Sequence, residues 1–266
     1  MSAILVGLVG AGVGVAFGAL GAGGSALATP ALALLGVPAV VAVASPLPAM
    51  VPAALAGARQ YARSGLLDRS AALLAVVVGV PAVVSGAIVS RFVGGAALVG
   101  ASAVLLFVAG VRMLLPVRGA PSGPAGPNAG AERALAPGAG APPISSGRRT
   151  SVVLLMAGAA FLSGLLANGG GFLFVPIFVF GLGLGASRAA GTSMLAVAAL
   201  VVPTLLVHWS LGHVDWTVAA AFAVGVIPAT SVGARLGRRL PDATARRVFG
   251  VVLVAFATCF VAARML

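Results

Sequence analysis

The residues of this chain best suited to hold a ligand lie in two glycine-rich interruptions, GALGAGGSALATP at 18–30 and GLLANGGGFLFVP at 164–176. Each stops an apolar run at consecutive glycines, resumes it for several residues and then reaches a proline. Inside a bilayer such a break exposes backbone amides, which is tolerable only where the break is buried in protein or lines a wet cavity. A half-helix restarting there turns its N–H groups and positive dipole end towards the cavity, a setting that suits an anion. The candidate binding residues are therefore Gly23, Gly24 and Ser25 in the first break and Asn168, Gly169, Gly170 and Gly171 in the second. Their competing role is to let helices cross closely. For the separate ladder Gly10, Gly14 and Gly18, that packing role is the expected one. Only the second break carries an amide side chain, so the two contribute unequally if Asn168 meets the ligand.

Three hydroxyls complete the candidate set. Ser45, followed by Pro46 and Pro48, interrupts an apolar run at the place where Gly191, Thr192 and Ser193 open a later one. Ser45, Thr192 and Ser193 either donate to an anion facing the glycine breaks or resatisfy backbone groups that the prolines free. Asp68 and Asp215 each stand just before a long apolar run, an N-cap position where a carboxylate accepts orphan amides. The two histidines sit together in HWSLGHVDW at 208–216. They read as interfacial residues between Trp209 and Trp216, with a pH-sensitive gate as the competing role; two His and one Asp fall short of a closed metal site, so no metal and no cofactor is expected. Arg59, Arg63 and Arg69 bracket Tyr61 and meet lipid phosphates or draw anions towards a vestibule.

The elements that position these residues follow from composition. Of 266 residues 61% are hydrophobic and 8% charged, with mean hydropathy +1.17, far beyond what a water-facing surface supports. At ~20 apolar residues per crossing, the runs at 3–21, 39–57, 70–90, 95–115, 151–167, 189–207, 216–234 and 248–263 give about eight transmembrane helices. They are too long for membrane strands, so the fold class is all-α integral membrane protein. The first run carries no charge and is read as a retained span rather than a signal peptide. Residues 116–150, rich in Pro and Gly, form a linker between a first repeat at 1–115 and a second at 151–266.

The halves are related. An offset of 146 superposes Gly18, Gly23, Gly24 and Pro30 on Gly164, Gly169, Gly170 and Pro176. One residue later, an offset of 147 superposes Gly65, Asp68, Pro81, Gly86 and Arg91 on Gly212, Asp215, Pro228, Gly233 and Arg238. Eight full crossings favour parallel repeats; a re-entrant course of the short apolar pieces at 26–35 and 172–182 would invert them. With eight simple crossings the sixteen arginines divide nine to seven between the two sides, which decides no orientation. The reading adopted puts the linker in the cytoplasm.

The duplicated glycine breaks, the eight-run layout and the central linker resemble the sulfite exporter TauE/SafE family, over essentially 5–261 without the linker. The resemblance implies transport of a small sulfur-containing anion, such as sulfite or a sulfonate, by a multi-pass protein of a bacterial inner membrane. The expected partners are that anionic substrate and membrane lipids, with a homo-oligomer compatible and nucleic acid excluded, since no basic stretch interleaves with stacking aromatics. An enzyme would need a nucleophile with its base, paired acids or a metal cluster, and the spans offer none. A channel would show a charged ring, and ATP-driven transport within the chain a phosphate-binding G-x-x-x-x-G-K-[ST] loop; neither is present. A non-transport membrane scaffold or subunit is the competing class.

Overall fold

A computed structural model describes residues 2–21, 24–93, 95–115, 146–166 and 171–265, which form helices and short connections without a strand among them. The helices are α1 (Ala3–Leu20), α2 (Gly24–Leu34), α3 (Ala39–Ala44), α4 (Leu47–Ala62), α5 (Arg69–Val89), α6 (Gly95–Leu114), α7 (Ser146–Leu165), α8 (Gly171–Pro176), α9 (Ala186–Ser210), α10 (Trp216–Gly237) and α11 (Asp242–Met265). A π-helical turn, Ile177–Gly181, continues α8. Five segments among the described residues are long and apolar enough to cross a bilayer: Ala3–Leu20, Ala39–Ala62, Arg69–Phe92, Ala186–Ser210 and Trp216–Gly237. In such runs the helix is the conformation that satisfies every backbone donor locally. Ile4, Leu73, Val77, Leu154 and Val224 stand exposed on the outside, as lipid-facing side chains must, while Phe17, Met50, Tyr61, Phe174, Phe178 and Phe222 are fully buried.

Local chemistry sets where the helices stop. Gly21, at φ +66°, ends α1 with its N–H donated to the Phe17 carbonyl. Gly65 and Gly212, matched by the sequence offset, share φ values of +67° and +71° and make the same turn before an aspartate. Both aspartates cap as expected: Asp68 Oδ1 accepts from the N–H of Ala71 at 3.0 Å, and Asp215 Oδ1 from Thr217 and Val218 at 2.8 and 3.1 Å.

Packing joins the first helix of each half to a later helix of the other. α1 lies along α10 and α7 along α5, with backbones in contact. A Cβ on Gly18 would strike the Thr230 carbonyl oxygen, and one on Gly233 that of Val15; a Cβ on Gly164 would strike Val83 O, and one on Gly86 that of Phe161. Gly18 and Gly164, like Gly86 and Gly233, are partners under the sequence offset, so the match between halves has a packing cause. Gly10 and Gly14 meet Phe222 and Val226 in the same groove, so the glycine ladder is a packing device.

These contacts also fix chain direction. Gly10, Gly14 and Gly18 meet residues 222, 226 and 230 in rising order, so α1 and α10 run the same way. Tyr61, at the end of α4, bonds to Gly18 and Ala19, so α4 finishes where α1 finishes. Ser45, just before α4, bonds to Asp215 at the start of α10, so α4 begins where α1 begins. Between residues 21 and 45 the chain must return across the bundle, with α2 and the short α3 as the helical parts of that stretch. The second half repeats the pattern: α7 finishes beside His208 at the end of α9, α9 begins beside Asp68, and α8 lies on the return. The eight-crossing reading counted neither α2 nor α8.

Candidate functional site

The three predicted hydroxyls are all buried, and all three hold backbone. Ser45 Oγ accepts the N–H of Asp215 at 2.9 Å, and Thr192 Oγ1 accepts the N–H of Asp68 at 2.9 Å while donating to the Arg188 carbonyl at 2.7 Å. Ser45 and Thr192 are 147 residues apart, as are Asp68 and Asp215, so each half supplies a hydroxyl that satisfies the helix cap of the other. Ser193 Oγ donates to the Gly21 carbonyl at 3.2 Å and so touches the edge of the first break. Of the glycine breaks themselves, Gly23, Asn168, Gly169 and Gly170 lie outside the described residues. Gly24 and Ser25 open α2 and Gly171 opens α8, so in both halves a helix does restart at the break.

Because α1 and α7 end on opposite sides of the bundle, the described flanks of the two breaks do not lie side by side. The first flank packs on the start of α9, where Gly21 presses against Ala190. The cavity bounded there by Ala19, Leu20, Met113, Val175, Ala186, Ser187, Ala190 and Ala245 has about 10 Å³, room for a single water.

Two buried polar side chains were not singled out as a pair by the sequence reading. Tyr61 Oη donates to the carbonyls of Gly18 and Ala19 at 3.1 and 2.9 Å, in the last turn of α1. His208 Nε2 lies 3.3 Å from the carbonyl of Gly164, in the last turn of α7. Tyr61 and His208 stand 147 residues apart, and Gly18 and Gly164 are likewise equivalent, so each half ties down the helix end that precedes its break. The signal was present: the offset that matched Gly65 with Gly212 also matches Tyr61 with His208. Different residue types concealed it.

Charge gathers at the end where α1 finishes. Arg188 pairs with Asp68 at 3.5 Å, and the Arg238 guanidinium donates to Ser64 Oγ. A groove of about 330 Å³ opens there between Leu55, Ala58, Ala62, Leu67 and Leu195, with Arg59 and Arg69 on its wall. At the opposite end Trp209 and Trp216 meet edge to face, 5.8 Å apart and half exposed, as in an aromatic belt at headgroup level. His213 lies in the connection between α9 and α10, where partial burial lowers its pKa below the ordinary imidazole value. No group of three or more His, Cys, Asp or Glu that could hold a metal occurs among the described residues.

Comparison with known proteins agrees with a membrane role. The model of the sulfite exporter TauE/SafE family matches residues 6–260. A "Probable membrane transporter protein" of Xylella fastidiosa (strain 9a5c) is 32% identical over 255 residues, covering 92% of this chain and 89% of the relative. Its counterpart in strain Temecula1 is 33% identical over 257 residues, with 92% and 89% covered. "Probable membrane transporter protein YunE" of Bacillus subtilis is 23% identical over 262 residues, covering 96% and 95%. No solved structure matches the chain. With the match running from residue 6 to residue 260, the chain belongs to the sulfite exporter TauE/SafE family.

Proposed function

We propose that this protein is a secondary transporter of a small anion, a sulfur-containing one such as sulfite or a sulfonate, in the inner (plasma) membrane of a bacterium. The observation that carries the reading is the family match along 6–260, which takes in both glycine breaks and all the candidate hydroxyls. The mechanism proposed is alternating access of two homologous repeats of four long helices each. The returns through α2 and α8 give each half an odd number of traverses, which favours inverted repeats. The reciprocal pairs Ser45 with Asp215 and Thr192 with Asp68 are then equivalent contacts on opposite faces, able to break and form in turn. The small volume of the cavity between Leu20 and Ala190 fits an occluded arrangement. Gly23, Gly24, Ser25, Asn168, Gly169, Gly170, Gly171, Ser45, Thr192 and Ser193 are the residues proposed to meet the anion as the halves rock.

The revised course of the chain also bears on orientation. Arg59, Arg63, Arg69, Arg112, Arg148 and Arg149 fall at the end where α1 finishes, together with Arg188 and the group from Arg235 to Arg247. Arg91 and Arg264 fall at the other. By the bias of arginine towards cytoplasmic loops, the first end and the linker face the cytoplasm, and both termini face outward. A C-terminal alkaline phosphatase fusion is then active and a C-terminal green fluorescent protein fusion dark; the reverse would overturn the orientation. For transport, purified protein in liposomes is expected to take up labelled sulfonate or sulfite above protein-free vesicles, and Gly170→Val to abolish the flux without loss of membrane insertion. Normal flux in that variant would show that the second break is only a packing feature.

A further inference from the structure

We propose that His208 and His213 form a one-proton site at the arginine-poor end of the bundle, through which anion movement is coupled to protons; the coupling rests on the transport reading above. The geometry begins with the tautomers. A carbonyl only accepts, so the contact of His208 Nε2 with Gly164 O at 3.3 Å puts a hydrogen on Nε2 and leaves Nδ1 as an acceptor in the neutral ring. His208 Nδ1 lies 3.1 Å from His213 Nδ1, so in the neutral pair His213 donates from Nδ1 and keeps Nε2 free to bind a proton.

This arrangement passes a proton inward without losing a hydrogen bond. A proton from water bonds to His213 Nε2; the Nδ1–H bond of His213 breaks as that hydrogen bonds to His208 Nδ1. His213 is left neutral with its hydrogen on Nε2, and His208 carries the charge with hydrogens on both nitrogens. A second proton has no place, because it would set two N–H groups against each other across 3.1 Å. His208 is 1% exposed, so burial opposes the charge there, while the last carbonyls of α7, the negative end of that helix dipole, favour it. Gly164 stands four residues before Asn168 in the sequence, so a positive charge here would strengthen the hold on an anion at the proposed site.

Nothing else nearby takes the proton. Residues 151–166 of α7, 70–90 of α5, 171–185 through α8 and 39–58 through α3 and α4 contain no ionisable side chain. Asp215, two residues beyond His213, has its carboxylate engaged by the N–H groups of Thr217 and Val218. Arg91, at this end after α5, lies over the ring of Phe92 at 4.4 Å. The equivalent of His208 in the first half is Tyr61, whose hydroxyl donates to Gly18 and Ala19. Tyrosine gains no proton in this range, so only one of the two breaks is proton-sensitive.

The test uses the full chain carrying a histidine-free tag, labelled with 15N-histidine and reconstituted in liposomes. The chain has two histidines, so every imidazole signal comes from the pair. Between pH 8 and pH 4 the spectra are expected to show uptake of one proton by the pair. Labelled methanesulfonate, whose charge is fixed over this range, and sulfite corrected for protein-free vesicles serve as probes of flux. A pH difference of one unit is expected to change steady-state accumulation about tenfold for one coupled proton. That ratio falls to about one in His208→Tyr, which installs the residue of the first half, and in His213→Gln, which keeps a donor to His208. Two independent protonations in the spectra would overturn the one-proton site. Flux indifferent to the pH difference, or a ratio surviving both substitutions, would overturn the coupling. Absence of any protein-dependent flux would overturn the transport reading and the coupling with it, while the spectra would still decide the proton site.

Discussion

Tyr61 and His208 occupy equivalent places in the two halves, and each holds the last turn of a helix that ends in a glycine break. Tyr61 is completely buried and gives its one hydrogen to two carbonyls of its own half. His208 is equally buried but faces two ways, with one nitrogen towards Gly164 and the other towards His213 in a half-exposed connection. The mechanical task is common to both; the chemistry is not. A phenol is a fixed donor under physiological conditions, whereas an imidazole can donate from one ring nitrogen and accept at the other. The two helix ends are therefore held alike, and the one at His208 also meets a second imidazole.

The comparison is tested most severely at the backbone contacts that make the halves equivalent. Gly164→Val and Gly18→Val are each expected to cost about 3 kcal/mol or to prevent folding, since the new Cβ meets a carbonyl oxygen held by a neighbouring helix. Gly158→Val and Gly12→Val, where a Cβ meets nothing within 4 Å, are the controls. Yield and thermal midpoint in detergent provide the measurement. Tolerance at Gly18 with failure at Gly164 would show that the two close approaches are not equivalent.

A smaller effect separates the two helix ends. Tyr61→Phe removes the donor to Gly18 and Ala19 and is expected to cost about 1–2 kcal/mol at every pH. A pH-dependent loss in that variant would contradict the fixed-donor role. Smaller again, Ser45→Ala and Thr192→Ala each strip the acceptor from an N-cap amide and should cost about 1 kcal/mol, alike in both halves. A clear inequality in chemical-denaturation midpoints would break the reciprocity.

The smallest effect is one of pH. His213 has a folded pKa below its unfolded value because burial disfavours its charged form. The unfolded chain therefore binds more protons in that window. The contribution is fully present above the ordinary imidazole pKa of about 6.5 and is lost as pH falls below it towards the folded value. The thermal midpoint is expected to drop between pH 7.5 and pH 5.5 in the native protein and to drop less in His213→Gln.

Much of the architecture could be read from single residues. Asp68 and Asp215 were recognisable as caps because a carboxylate before an apolar run has orphan amides to accept. Gly65 and Gly212 coincide under the offset because both turns need a left-handed residue. The long helices announced themselves by length. The two return segments did not: α2 has 11 residues, about 16 Å of helix, too short to count against a hydrocarbon core of about 30 Å. Leaving these short apolar pieces out of the crossing count reversed the side assigned to Arg188 and to the cluster from Arg235 to Arg247, which is why that count divides the arginines nine to seven. The candidate site was legible only in part. Ser45, Thr192 and Ser193 were found by their positions, but whether a hydroxyl serves a ligand or a neighbouring backbone depends on what lies opposite, and that is supplied by the other half.

The sequence alone determined a membrane-spanning helical protein and the positions of its caps and left-handed turns, because hydropathy, glycine and capping act over short stretches of chain. The tertiary structure decided which helix ends meet, which way α2 and α8 run and that Tyr61 and His208 do the same work. Those are relations between residues far apart in the chain, set by backbone contact at Gly18 and Gly164 and by hydrogen bonds that exist only once the two halves are packed together.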